Sequence, residues 1–320
     1  MSEENQKKLF GISAIICIIL LTIAYFGDLA ISNTLINYHS WVGTFCQTFG
    51  EFPVYLIFAL CGQIAMTYAW RGDCEKLLAG PLFVGGLALS LWQSKQYVNE
   101  FLGYLYSAQT NLKNGTAIAM ANSDSATGGY AGSTIIMVWL LFFVIFTLLV
   151  QWWLKNKTTK QLTRYMKIAI LASLTVWFAL EVNLTLKDLW GRYRPYELTS
   201  GNHEFTNWLT INGVNGHKSF PSGHTMAATL CIVFSWFVSN NKRKSFFIGG
   251  IVYGVVIAIS RVIVGAHFFS DVTFSFFLTA LIIFIMNGLG KKLIEDFFIA
   301  GCSAVKKFYI TVHFFERCTL

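Results

Sequence analysis

The sequence predicts an all-α fold, a polytopic transmembrane helix bundle of about eight spans. Two observations carry this. Of the 320 residues, 55% are hydrophobic and only 12% are charged, against about 25% charged in ordinary soluble domains. The lysines and arginines also gather in clusters between apolar stretches. A soluble chain of this size lacks the interior to hide so much apolar surface, and disorder needs low hydrophobicity with high charge. Four prolines leave no room for long linkers.

Eight stretches approach the roughly 20 apolar residues that cross a hydrocarbon core. The first, Phe10–Phe26, follows Lys7 and Lys8 and resembles a signal peptide. No small-x-small site follows it, because the chain continues Tyr25-Phe26-Gly27-Asp28, so a retained helix is expected. The second and third, Pro53–Trp70 and Leu77–Trp92, flank Arg71 and Lys76. The fourth and fifth, Thr134–Leu154 and Ile168–Leu186, flank the basic segment Lys155–Lys167. The sixth and seventh, Pro221–Ser239 and Phe246–Ala266, flank Lys242, Arg243 and Lys244, and the eighth is Ser270–Leu289. With both termini inside, 17 of the 24 basic residues lie on the inner side, as cytoplasmic loops require. The net charge of +8 is therefore read as topology, not as a nucleic-acid signal.

Between the spans, the outer loop 93–133 divides in two. Gln93–Ser107 has apolar residues at helical spacing and is expected on the membrane surface. Asn111–Ser133, rich in Gly, Ser, Ala, Asn and Thr, reads as loop. The chain then divides into N-terminal helices over 1–160, a helical core over 161–290 and an interfacial cytoplasmic tail over 291–320. Only Cys46 of the seven cysteines falls in an outer loop, so no disulfide is expected.

Polar residues near membrane depth are costly and usually functional. Three clusters fall on the outer side. In Lys187-Asp-Leu-Trp-Gly-Arg-Tyr-Arg194-Pro195, Lys187 and Arg194 are cations suited to phosphate oxygens; snorkelling at a helix end is the bland alternative. In Phe220-Pro221-Ser222-Gly223-His224, Pro suits a first helical turn and Ser222 adds a hydroxyl. Gly223 admits close approach to the backbone, and His224 can exchange a proton near neutral pH; the alternative is a capped helix start. In Ser260-Arg261-Val-Ile-Val-Gly-Ala-His267-Phe-Phe-Ser-Asp271, His267 and Asp271 are four apart, so Asp271 can orient His267 as a nucleophile; a helix-capping pair is the alternative. Together the clusters make a phosphate pocket with a nucleophile, an orienting acid and a proton donor. No Cys/His cluster or carboxylate pair offers a metal site, so neither metal nor cofactor is expected.

With these residues in place, the sequence resembles the type 2 phosphatidic acid phosphatase superfamily of membrane phosphatases. Its pattern is Lys-x6-Arg-Pro, Pro-Ser-Gly-His, then Ser-Arg-x5-His-x3-Asp. The match is complete at Lys187, Arg194, Pro195, Pro221, Ser222, Gly223, His224, Ser260, Arg261, His267 and Asp271. The resemblance implies a six-helix core to which this chain adds N-terminal spans. It implies that His267 attacks phosphorus and becomes a phosphohistidine. Asp271 would orient His267, and His224 would protonate the leaving oxygen. Lys187, Arg194, Ser222, Gly223 and Arg261 would bind the phosphate. The expected substrate is a phosphate-bearing lipid at the periplasmic leaflet of a bacterial inner membrane: undecaprenyl diphosphate, phosphatidylglycerol phosphate, phosphatidic acid or lipid A. Transfer to a lipid acceptor, and a silent lipid-binding or flipping protein, are the competing expectations. Glu197, His203, Glu204, His217 and Lys218 in loop 196–220 either read a headgroup or are simply solvated.

Overall fold

In the computed structural model, residues 3–120, 129–201, 204–288 and 290 are described, and all regular structure among them is helical. The helices are α1 Glu3–Leu35, α2 Trp41–Phe49, α3 Phe52–Arg71, α4 Lys76–Lys113, α5 Gly132–Leu154, α6 Thr159–Trp190, α7 Pro195–Gly201, α8 Gly223–Thr229 and α9 Asn240–Ile263. A last helix, α10, covers Phe269–Gly288. Among the described residues, seven stretches are long and apolar enough to cross a membrane. Large apolar side chains face outward along them, among them Ile18 and Phe26 on α1 and Leu141, Leu148 and Trp152 on α5. Contiguous exposed apolar surface on this scale needs lipid around it, and the protein is an integral membrane protein.

The core sits where α3, α6, α8 and α9 converge. Ile57, Ile64, Leu162, Ala172, Val176, Leu230 and Val233 are buried there in one cluster. Beside it, Gln63 on α3 closes a polar belt with α4 and α5. Its Nε2 donates to Ser90 Oγ at 3.0 Å and Thr147 Oγ1 at 2.9 Å, and its Oε1 accepts from Gln151 Nε2 at 2.9 Å. At one end of the bundle Arg71 donates to the Lys155 carbonyl at 2.8 Å, tying the basic ends of α3 and α5 together. The three motif clusters lie at the other end.

The structure departs from the sequence expectations in four places. The helix expected over Phe10–Phe26 runs on to Leu35 and carries Asp28 into the bundle. The outer loop before the second span contains α2, capped by Ser40 Oγ on Gly43 N at 3.0 Å. Gln93–Ser107 is not a surface helix; it continues the third span in one 38-residue helix. Such a helix is about 57 Å long, more than the bilayer's 40–45 Å. Its extension is held by packing: Gln93, Ser94, Tyr97, Val98 and Leu102 are buried, and Trp139 Nε1 donates to Ser94 Oγ at 3.0 Å. Lastly, the sixth span is short. Its helical part is α8 followed by a 3₁₀ segment, Leu230–Trp236. The larger rise of the 3₁₀ turn lets these 14 residues cover roughly 24 Å, so α8 and its continuation still run alongside α9. The expected tail 291–320 lies outside the described residues.

Candidate active site

The site is built at the end of the bundle where α6 and α9 stop and α8 and α10 start. Helix α6 ends at Gly191, whose φ of +51° and capping bond to the Lys187 carbonyl turn the chain sharply. The next residues enter the interior, and Arg192 and Arg194 are buried. Arg192 is fully enclosed by two carboxylates. Its Nη1 contacts Asp271 Oδ1 at 2.6 Å and Ser270 Oγ at 2.7 Å, and its Nη2 contacts Asp28 Oδ2 at 2.9 Å. Its Nε donates to the Thr206 carbonyl at 3.0 Å, and the guanidinium stacks 4.2 Å over Phe268. Asp28 also accepts from the Ser270 backbone N at 2.9 Å and from the Ser270 hydroxyl. A buried ion pair is tolerated when its remaining lone pairs are satisfied in this way.

Asp271 does more than face a histidine. Its Oδ2 accepts from Ser219 Oγ at 2.6 Å and from Phe268 N at 2.9 Å, and its carbonyl accepts from Ser222 N at 3.2 Å. His267 Nδ1 stands 3.7 Å from Asp271 Oδ2 but 2.7 Å from the Ser219 carbonyl. A carbonyl only accepts, so this bond puts the proton on Nδ1 and leaves Nε2 with its lone pair. The direct orienting partner of His267 is thus the Ser219 carbonyl. Asp271 acts from one step away, by fixing Ser219 and by placing a negative charge near the ring. The turn that carries His267 is itself held by the Arg261 carbonyl, which accepts from Ala266 N and His267 N at 3.0 and 3.3 Å.

At the start of α8, Ser222 Oγ caps the helix, accepting from Thr225 N at 3.4 Å and Thr225 Oγ1 at 3.0 Å. Gly223 faces Lys187: a Cβ there would meet Lys187 Nζ at 3.2 Å. The missing side chain is what lets the ammonium approach the Pro-Ser-Gly-His backbone. Asn183, one turn earlier on α6, is buried on the same face. His224 Nδ1 contacts Glu51 Oε1 at 3.2 Å, and its ring meets Tyr104 edge-on at 5.6 Å between centroids. Gly50 lies against the same ring, and a Cβ there would stand 2.8 Å from His224 Cδ2.

All eight residues expected from sequence therefore fall at this end. Lys187 sits against Gly223, Ser222 is bonded to Asp271, and the Arg194 segment meets the His267 turn through Tyr196 N and the Gly265 carbonyl at 3.2 Å. Arg261 is wholly buried one turn before that turn. Of the loop residues, Glu197 accepts from Arg194 N at 2.6 Å and meets His217 Nδ1 at 3.2 Å, while Lys218 pairs with Asp188 at 3.0 Å. These contacts brace the loop. His203 lies outside the described residues.

Sequence reasoning missed Asp28, Glu51 and the inward role of Arg192. One signal was present: Asp28 is a carboxylate closing an apolar helix, and such a group needs a partner. Nothing in the sequence pairs Glu51 with His224.

This end of the bundle defines a class of protein: an integral membrane protein in which two histidines and several buried cations gather at one end of the helices. Residues 161–294 match the family model of the PAP2 superfamily. Among curated proteins it is similar to phosphatidylglycerophosphatase B of Bacillus subtilis (strain 168), with 37% identity over 83 residues, 23% of this chain and 40% of that protein. It is also similar to lipid A 4'-phosphatase of Francisella tularensis subsp. novicida (strain U112), with 29% identity over 157 residues, 46% of this chain and 71% of that protein. The similarity thus spans less than half the length of the first relative. No solved structure matches.

Proposed function

We propose that the protein is a phosphatase that removes a phosphate group from a membrane lipid through a phosphohistidine on His267. The observation that carries this is the 2.7 Å bond from His267 Nδ1 to the Ser219 carbonyl, which puts the proton on Nδ1 and makes the Nε2 lone pair the nucleophile. In the first step His267 Nε2 attacks phosphorus and the P–O bond to the lipid breaks. The leaving oxygen takes a proton from His224, whose imidazolium is supported by Glu51. In the second step water attacks the phosphohistidine, gives a proton to His224, and phosphate leaves. Lys187, Arg194 and Arg261 hold the phosphoryl oxygens, with the Ser222 hydroxyl and the Gly223 backbone. Phosphoryl transfer depends mainly on such fixed charge.

The substrate is a lipid whose phosphate lies at the outer leaflet. The names of the two relatives favour phosphatidylglycerol phosphate and lipid A, with undecaprenyl diphosphate and phosphatidic acid as further substrates to test. The test is phosphate release by the purified protein in detergent across these four lipid classes. Release from at least one is expected, unaffected by EDTA, because the charges on the phosphate are supplied by side chains. His267→Ala is expected to lower release by roughly 10⁴-fold or more. Normal turnover in that variant removes the nucleophile assignment, and loss of lipid phosphate without free phosphate points to transfer.

The basic ends of the helices favour a site that faces the periplasm from an inner membrane, with both termini cytoplasmic. Val214 is 86% exposed in the loop over the site. In a Val214→Cys variant, impermeant maleimide is expected to label the thiol without permeabilising the inner membrane. Labelling only after permeabilisation reverses the orientation.

A further inference from the structure

Helix α2 lies across α9 in a fixed antiparallel register. At one end, a Cβ on Gly43 would meet Val264 Cγ1 at 2.5 Å. In the middle, Cys46 packs with Ile257 and Ala228. At the other end, Gly50 lies against His224 and Ile257, and the Phe49 carbonyl accepts from Tyr253 Oη at 2.6 Å. Residues 43, 47 and 50 share one face of α2, as 257, 261 and 264 share one face of α9. This register sets Gln47 at the level of Arg261 on α9, one turn from Gly50, which packs on His224.

Gln47 is 1% exposed, yet among the described residues neither its Nε2 nor its Oε1 has a hydrogen-bond partner. A buried carboxamide with both ends open is costly, and native structures keep few such groups. The chain meets this requirement elsewhere, because Gln63 has its carboxamide satisfied by Ser90, Thr147 and Gln151. An open amide at the level of Arg261, one turn from the contact with His224, fits a ligand that both accepts and donates hydrogen bonds, as a protonated phosphoryl group does.

We propose that Gln47 is a phosphate-binding residue of this site. Its Nε2 donates to a non-bridging phosphoryl oxygen, and its Oε1 accepts from the phosphoryl hydroxyl. A helix from outside the matched family segment would thereby supply part of the pocket. The proposal rests on the phosphatase reading above, and it concerns the phosphoryl group itself, whether carried on a lipid or free.

The test is equilibrium binding of orthovanadate to the full-length protein in detergent, by calorimetry, alongside phosphate release from the best lipid substrate. Gln47→Met keeps the volume and removes the amide. It is expected to weaken vanadate binding by about tenfold or more, with a similar loss in kcat/KM, and to leave the thermal midpoint near that of the wild type. Gln47→Asn keeps a shortened amide and is expected to fall between the two. Gln63→Leu, in the closed belt, is the control, with vanadate affinity expected within twofold of wild type. If Gln47→Met binds vanadate like the wild type, the proposal is overturned; a higher KM alone would then assign Gln47 to the rest of the headgroup, and a lower midpoint alone to the fold. Wild-type vanadate binding without phosphate release from any lipid would overturn the phosphatase reading and leave the Gln47 comparison standing.

Discussion

Two polar regions are buried in this bundle, and they are organised differently. The belt around Gln63 joins α3, α4 and α5 with neutral groups, and its amides bond one another and nearby hydroxyls. The cluster at the other end is charged. It ties α1, the segment after α6 and α10 together through Asp28, Arg192 and Asp271, and His267, His224, Arg261 and Lys187 lie at the same end of the bundle. The belt turns inward and serves packing. The charged cluster has an inner part that is closed, centred on Arg192, and an outer part that holds Lys187, His224 and Arg261. Arg192 is a positioning residue on this view: its bonds go to two carboxylates, the Ser270 hydroxyl and a carbonyl, and what it holds is Asp271.

The largest effect is expected where the inner part is broken. Asp28→Ala leaves Arg192 with one carboxylate instead of two, in full burial. Removing one partner of a buried pair costs about 3–5 kcal/mol, so a lower thermal midpoint in detergent is expected. Phosphate release should fall with it, because Asp271 and Ser270 lose the arginine's fixed position. An unchanged midpoint would show that Asp28 is not a structural support, and the distinction between inner and outer parts would fail.

A smaller and more specific effect is expected at Glu51. Its carboxylate, 3.2 Å from His224 Nδ1, favours the charged imidazolium. Catalysis needs that proton for the leaving oxygen. Glu51→Gln removes the charge and keeps the shape, so the proton donor loses the carboxylate that supports it. The kcat for phosphate release should fall by roughly tenfold, with KM little changed. An unchanged kcat would make Glu51 a packing residue.

How far these regions could be read in the sequence depends on what each residue's role rests on. Lys187, Arg194, Ser222, Gly223, Arg261, His267 and Asp271 stand in short motifs at helix ends, where local spacing already implies a shared face. The apolar spans were legible for the same reason, since burial in lipid is written into composition. Helix α2 was not, because nine residues between two spans carry too little periodicity to separate helix from loop. The Glu51–His224 contact joins positions 173 apart, and Asp28–Arg192 joins positions 164 apart. Such pairings are set by how the helices pack, and no local pattern encodes them. The Gln93–Ser107 segment misled for a related reason. Its apolar residues at helical spacing suggested a helix on the membrane surface, whereas Tyr97 among them packs on Phe52 of α3 and Phe142 of α5 within the bundle.

The smallest effect is expected in the belt. Gln63→Leu removes a donor and an acceptor at once and leaves Ser90, Thr147 and Gln151 short of a partner. Each buried group left unsatisfied costs about 1–3 kcal/mol, so the thermal midpoint should drop modestly. Phosphate release per folded molecule should stay within about twofold, because no belt residue bonds any residue of the pocket. This is the sharpest check on the comparison. Both regions are polar, both are buried and both lie between helices, so burial of polar groups alone would predict similar consequences. If release falls as steeply here as at the pocket, the belt and the site are one cooperative unit. If only stability falls, hydrogen bonds closed within the protein mark structure, and buried polar groups left open mark where the substrate is held.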